Sequence, residues 1–197
     1  SGQLENTIVI YTSDQGYFLG EHGFFDKRMM LEESARMPFV VRYPKKLPQG
    51  KRHDALLMNI DIPAFILDYA QAPIPEQMQG QSFRALLEGS AQEEREYTYY
   101  RYWEHSPNRP AHFGIRNKDY KLIYYYGEAL DMRNATKQNT TPTWEFYDLN
   151  ADPKERINAF SNPQYREEIV LMHQALKKQK VYYQDHQTEV PELELMN

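Results

Sequence analysis

The sequence contains no cysteine. That absence excludes disulfides and thiolate metal sites, and it leaves the compartment open. No apolar run reaches the roughly 20 residues that a helix needs to cross a membrane. Positive charge is not in excess either: 23 Lys and Arg stand against 28 Asp and Glu, for a formal net charge of -5. Nonspecific nucleic-acid binding, which rests on neutralising phosphates, is therefore not expected. The chain opens Ser-Gly rather than with Met and shows no signal peptide. Such a start suggests a tag remnant, a proteolytic product or a mature fragment. There is no internal repeat, and 197 residues give room for one domain or one and a half.

What the sequence has in quantity is tyrosine, sixteen in all. Tyrosine joins a large apolar area to a polar tip, and its abundance is read as antiparallel strands with one wet face. One stretch stands apart, residues 7–27. It opens with the unbroken run Thr7-Ile8-Val9-Ile10-Tyr11-Thr12, the pattern of a strand buried on both faces in a parallel sheet. The run stops at Ser13-Asp14-Gln15-Gly16. Ligands of open α/β sheets sit beyond the carboxyl ends of strands. Asp14 and Gln15 thus fall where chemistry is expected, and both offer hard oxygen donors suited to Ca2+ or Mg2+.

The longer string Ser-Asp-Gln-Gly-x-x-Leu-Gly-Glu-His-Gly, closed by Lys27, resembles the second metal motif of the type I, formylglycine-dependent sulfatases of the alkaline-phosphatase-like superfamily. The likeness is to the branch that includes iduronate-2-sulfatase and glucosamine-6-sulfatase. It implies that Asp14 and Gln15 bind calcium, with Mg2+ as the alternative, and that Lys27 contacts the sulfate. Many members carry Asn or His where this chain has Gln15, whose amide oxygen still ligates. Two roles are open to His22: donating to a sulfate or leaving-group oxygen, or binding backbone carbonyls to hold the loop at 20–23, with Glu21 capping amides. Glu33-Ser34-Ala35-Arg36-Met37-Pro38-Phe39-Val40 resembles the family's sequence beyond the lysine. Asn59-Ile60-Asp61-Ile62 and Gly80-Gln81-Ser82-Phe83 resemble the family with lower specificity.

Between and beyond these motifs the periodicity predicts a strand over 39–43. Ile62, Phe65, Ile66 and Tyr69 form one stripe of a helix, with Asp61 as N-cap. A short helix is expected near Phe83, Leu86 and Leu87. The small, charged stretch 89–96 is read as a boundary that divides the chain into 1–90, the C-terminal part of a sulfatase α/β core, and 91–197, a C-terminal subdomain. In the latter four strands are expected, at 97–103, 112–116, 120–126 and 144–149. A helix beginning at Asn162-Pro163 and marked by Tyr165, Ile169, Met172 and Leu176 comes after them. Gly114-Ile115-Arg116, Tyr120-Lys121-Leu122 and Phe146-Tyr147-Asp148-Leu149 resemble landmarks of the family's small subdomain. In the family that subdomain overhangs the pocket and touches the sugar, which makes His105 and His112 candidate substrate contacts beside Lys27, each with an ordinary surface histidine as the alternative.

The formylglycine nucleophile arises within Cys/Ser-x-Pro/Ala-x-Arg. Ser161-Asn162-Pro163-Gln164 begins that pattern, but Tyr165 stands where Arg must be. The resemblance therefore implies the C-terminal part of a sulfatase, with the nucleophile on a missing N-terminal part of the same or a separate chain. The segment alone is expected to be inactive and to expose an edge of the core sheet. Its partner would be a sulfated carbohydrate such as a glycosaminoglycan. Its location would be the periplasm or exterior of a bacterium, or an animal lysosome. A phosphonate monoester or phosphodiester hydrolase of the same superfamily is the enzymatic alternative, and a noncatalytic carbohydrate-binding remnant is the other.

Overall fold

The computed structural model describes residues 2–90 and 95–193. In chain order its elements are β1 (Val9–Thr12), β2 (Phe18–Leu19), β3 (Phe25–Asp26), α1 (Glu32–Ala35), β4 (Phe39–Arg42), α2 (Asp61–Tyr69), α3 (Arg84–Leu87), β5 (Thr98–Tyr102), β6 (His112–Arg116), β7 (Tyr120–Tyr125), β8 (Thr143–Asp148) and α4 (Arg166–Tyr182). By compactness they form two units, Ser1–Asp14 with Met37–Glu96 and Gln15–Arg36 with Tyr97–Asn197.

In the first unit β1 pairs antiparallel with β4, Thr12 opposite Phe39. This corrects the expectation of a parallel strand buried on both faces. Val9, Tyr11 and Val40 are exposed, so the apolar run has an open side in this chain. The core is instead aromatic. Phe65 stacks on Phe83 at 4.3 Å between ring centres, and Phe39 meets Phe83 edge-on at 5.3 Å. Ile66, expected in the buried stripe of α2, is exposed, while Asp61, Ala64 and Phe65 are buried. Asp61 does not cap its own helix. Its carboxylate accepts from the Met58 and Gln81 backbone amides at 2.7 and 2.9 Å and takes both guanidinium nitrogens of Arg95 at 2.5 and 2.8 Å. A buried carboxylate needs such partners. They bring the two low-specificity motifs, around Asp61 and Gly80, side by side.

The second unit is built on a meander, β5-β6-β7-β8, all antiparallel. The four strands and the C-terminal helix expected from the sequence are thus present. Alternation sends Phe113, Ile115, Leu122 and Phe146 to one face, where Ile169, Met172 and Leu176 of α4 cover them. Asn162 opens the turn before α4 by accepting from the Gln164 amide at 3.0 Å, with Pro163 next in line. The opposite face, expected to be wet, is covered too. Ile123, Tyr125 and Tyr147 pack against Phe18, Met29, Met30 and Leu31. Gly114 opens that face: a Cβ there would lie 2.7 Å from the Met30 sulfur and 2.4 Å from the Leu122 carbonyl oxygen.

A buried ion network fastens the covering segment. Lys121, fully buried on β7, lies 2.9 Å from Glu32 of α1 and 2.5 Å from Glu155. Arg116 reaches Glu32 at 2.9 Å, and Glu155 accepts from the Glu32 amide at 2.6 Å. Burial pushes the Glu155 carboxyl above its usual pKa despite Lys121. Burial also opposes ionisation of Glu32, but Lys121 and Arg116 outweigh it and hold its pKa down. Removing the shared cation would leave buried charge uncompensated. Lys121→Met is expected to destabilise the protein by about 3–5 kcal/mol, read from denaturant unfolding. A loss well under 1 kcal/mol would show that the network is not what holds α1.

Candidate active-site surface

The segment on the second face of the sheet carries Gln15, His22 and Lys27 of the residues singled out in the sequence. Gly16 sets its start. Its amide donates to the Ser34 carbonyl at 2.8 Å, and a Cβ at this position would lie 2.2 Å from the Glu33 carbonyl oxygen. Only glycine fits so close a backbone approach. Gln15 is fixed beside it, its amide nitrogen donating to the Ser34 hydroxyl at 2.9 Å and to the Tyr100 hydroxyl at 3.4 Å. Burial raises the Tyr100 pKa to about 12, so this phenol stays protonated.

The β2–β3 hairpin, Phe18 opposite Asp26, wraps the tight turn Glu21–Gly23. Glu21 accepts from the Leu19 amide at 2.7 Å. That hydrogen bond and one from its own backbone hold its pKa below the usual value. His22 occupies the left-handed region at φ 54°. Its ring meets Phe18 edge-on and places Nε2 3.3 Å from Glu33.

Lys27 comes directly after the hairpin, half-buried, in the wall of a cleft of about 690 Å3 that Phe24, Phe25, Ser106, Asn108 and Arg109 also line. The residues on either side, Asp26 and Arg28, have φ of 96° and 85°. Such values are uncommon outside glycine and cluster at functional sites. Asp26 accepts from Arg28 at 2.8 Å and Arg109 at 2.9 Å, and Arg109 also donates to Tyr102 at 3.1 Å. Two guanidinium groups therefore share one short carboxylate next to Lys27, so positive charge is in excess there, an arrangement favourable to anions. Asp26, Arg28, Arg109, Ser34 and Tyr100 were not singled out from the sequence. Asp26 and Arg28 adjoin Lys27 and were open to notice, whereas Arg109 reaches the cleft from 82 positions away in sequence and carried no local signal.

The two remaining histidines do not line this surface. His105 is fully buried, not a surface residue. Its Nδ1 accepts from the Ala111 amide at 3.1 Å, and its Nε2 lies 2.9 Å from the Gln138 carbonyl oxygen. Both ring nitrogens are committed to the main chain. His112 is fully buried as well, set against Tyr100, Tyr102 and Tyr125 with Nδ1 2.7 Å from the Pro110 carbonyl oxygen.

Asp14 is exposed and lies just past the end of β1. It accepts from Ser13 at 3.2 Å, and its carbonyl accepts from Asn59 at 3.2 Å. Among the described residues no group of three or more His, Asp and Glu is gathered to hold a metal ion. No helix among them is long and apolar enough to cross a membrane.

The second unit is thus an antiparallel meander backed by one helix, with a lysine-bearing cleft on its other face. Residues 20–182 match the family described as N-sulphoglucosamine sulphohydrolase, C-terminal, and the chain belongs to that family. It is 41% identical over 192 residues to an N-acetylglucosamine-6-O-sulfatase of Bacteroides thetaiotaomicron, covering 94% of this chain and 32% of the relative. It is 30% identical over 181 residues to an arylsulfatase of Clostridium perfringens, covering 90% and 34%. A solved structure in complex with its substrate D-glucosamine-2-N,6-O-disulfate superposes with a TM-score of 0.84 at 39% identity, covering 94% of this chain and 36% of that one. The chain spans about a third of the length of the curated relatives it matches.

Burial pushes the His112 imidazole down from 6.5 to about 4, although its contact with Pro110 works the other way. Between those values the unfolded chain binds a proton that the folded chain refuses. Stability therefore rises with pH across the window and is lost as pH falls from about 6.5 towards 4. The full effect is about 3 kcal/mol. Replacing the ring by His112→Gln is expected to flatten that part of the urea-unfolding profile. An unchanged slope would assign the acid sensitivity to other groups.

Proposed function

We propose that the whole protein is a sulfatase that hydrolyses a sulfate ester on a carbohydrate, with a 6-O-sulfated glucosamine unit of a glycosaminoglycan as the substrate class. The observation that carries this reading is Lys27, held in a cleft between two left-handed residues in the position the sulfatase resemblance assigns to the sulfate-contacting lysine. The activities of the two relatives and the ligand of the solved structure support it.

Breaking the S–O bond puts charge on the bridging oxygen while the sulfuryl oxygens stay charged. The Lys27 ammonium, a compact point charge, is worth most as that charge develops. Asp26 holds Arg28 and Arg109 beside it, which shapes the cleft for an anion. His22 braces the hairpin through Glu33 rather than entering the reaction. Asp14 and Gln15 are the ligands this chain would give to Ca2+, with Mg2+ as the alternative, and the amide geometry of Gln15 fits that role. The cation, when bound, would stabilise sulfuryl oxygens as a Lewis acid. The formylglycine nucleophile belongs to the preceding part of the protein, which is also the partner that covers the open side of β1. Residues 1–90 are read as core and 91–197 as subdomain. The site of action is the periplasm or exterior of a bacterium, or a lysosome in an animal.

In the full-length protein, Lys27→Ala is expected to lower kcat on an aryl sulfate about 100- to 1,000-fold. KM should change much less and metal content should hold, whereas Asp14→Asn should lower calcium affinity. Steady-state kinetics with sulfate, phosphonate and phosphodiester substrates, paired with metal analysis, decide. A variant with unchanged kcat removes Lys27 from the mechanism. Preferred turnover of the phosphonate or diester would change the reaction class.

A further inference from the structure

One buried hydroxyl joins the two halves of the proposed chemistry. Ser34 lies in α1 and is fully buried. Its Oγ accepts from the Gln15 side-chain amide at 2.9 Å and also from the Arg28 backbone amide at 2.9 Å. The first bond holds the side-chain amide of Gln15 by its nitrogen. The second ties down the residue immediately after Lys27, at a backbone conformation that costs energy wherever it is not held. The Ser34 carbonyl adds a third tie, to the Gly16 amide at 2.8 Å. An apolar replacement takes the acceptor from the Arg28 amide and leaves the Gln15 amide its longer contact with Tyr100, and a buried donor left unpaired is costly.

We infer that Ser34 is a positioning residue for the sulfatase site: it turns Gln15 so that Oε1 meets the cation, and it holds the 26–28 turn so that Lys27 stays in register with the sulfate. This rests on the sulfatase reading of the site. Ser34 acts through Gln15 and Arg28 and touches neither substrate nor metal. Outer partners of this kind are worth about 10- to 100-fold in metal affinity or activity. Coupling through a shared partner also makes substitutions non-additive.

The test uses the full-length protein and three readouts. In the metal-free state, Ser34→Ala should speed hydrogen exchange at the Arg28 amide. By calorimetry with Ca2+ alone, it should weaken binding about 10- to 100-fold. In kinetics it should lower kcat more than it raises KM. The double variant Ser34→Ala/Gln15→Ala should bind Ca2+ no more weakly than Gln15→Ala alone. Ser34→Cys, which keeps the volume but supplies a weak acceptor, should fall between wild type and Ser34→Ala, and it reads the same quantities if the alanine variant does not fold. Wild-type calcium affinity and Arg28 exchange in these variants, or additive losses in the double variant, would overturn the role of Ser34 and leave the sulfatase reading standing. A wild-type protein that neither binds Ca2+ nor turns over a sulfate ester would overturn both.

Discussion

The arrangement of the site depends on one cation buried in a sheet. Lys121 points from β7 to the face opposite α4, where it meets Glu32 and Glu155. An ammonium in that position is tolerable only if carboxylates come to it. The carboxylate that comes from α1 brings Ser34 two residues later. Through Ser34 the order passes to Gln15 and Arg28. That buried charge thereby fixes the hydroxyl to which Gln15 and Arg28 donate.

Much of this was legible in the sequence. The meander could be read because its strands alternate and its turns carry Asn and Asp, as at Asn117, whose side chain accepts from the Asp119 and Tyr120 amides. The long helix could be read from Asn162-Pro163 and its apolar spacing. What could not be read was which surfaces meet. The tyrosines were consistent with a wet face until Phe18, Met29 and Met30 were found against it. The run at 7–12 looked doubly buried because apolar composition reports preference, not the neighbours available to satisfy it. His105 and His112 show the same limit. A histidine beside a strand reads as a ligand or as a surface residue, and only the Ala111 amide and the Pro110 carbonyl reveal a structural part.

The site itself divides along the same line. Lys27, Asp14 and Gln15 came from a contiguous motif, where spacing along the chain carries the signal. Arg109 and Tyr100 arrive from strands and loops far away in sequence. Their contribution exists only once the hairpin has settled on the sheet.

That order has a consequence for synthesis. Thr12 pairs with Phe39, so residues between them form a long excursion out of a two-stranded ribbon. Yet those residues are compact with strands that begin at Thr98. The excursion leaves the ribosome roughly sixty residues before the first of those strands. During that interval Met29, Met30 and Phe18 have no sheet to cover, and α1, whose Ser34 ties the turn bearing Lys27, lacks its Lys121 partner. The final geometry of this segment is a late acquisition of the nascent chain, and its apolar underside stays uncovered until the sheet forms.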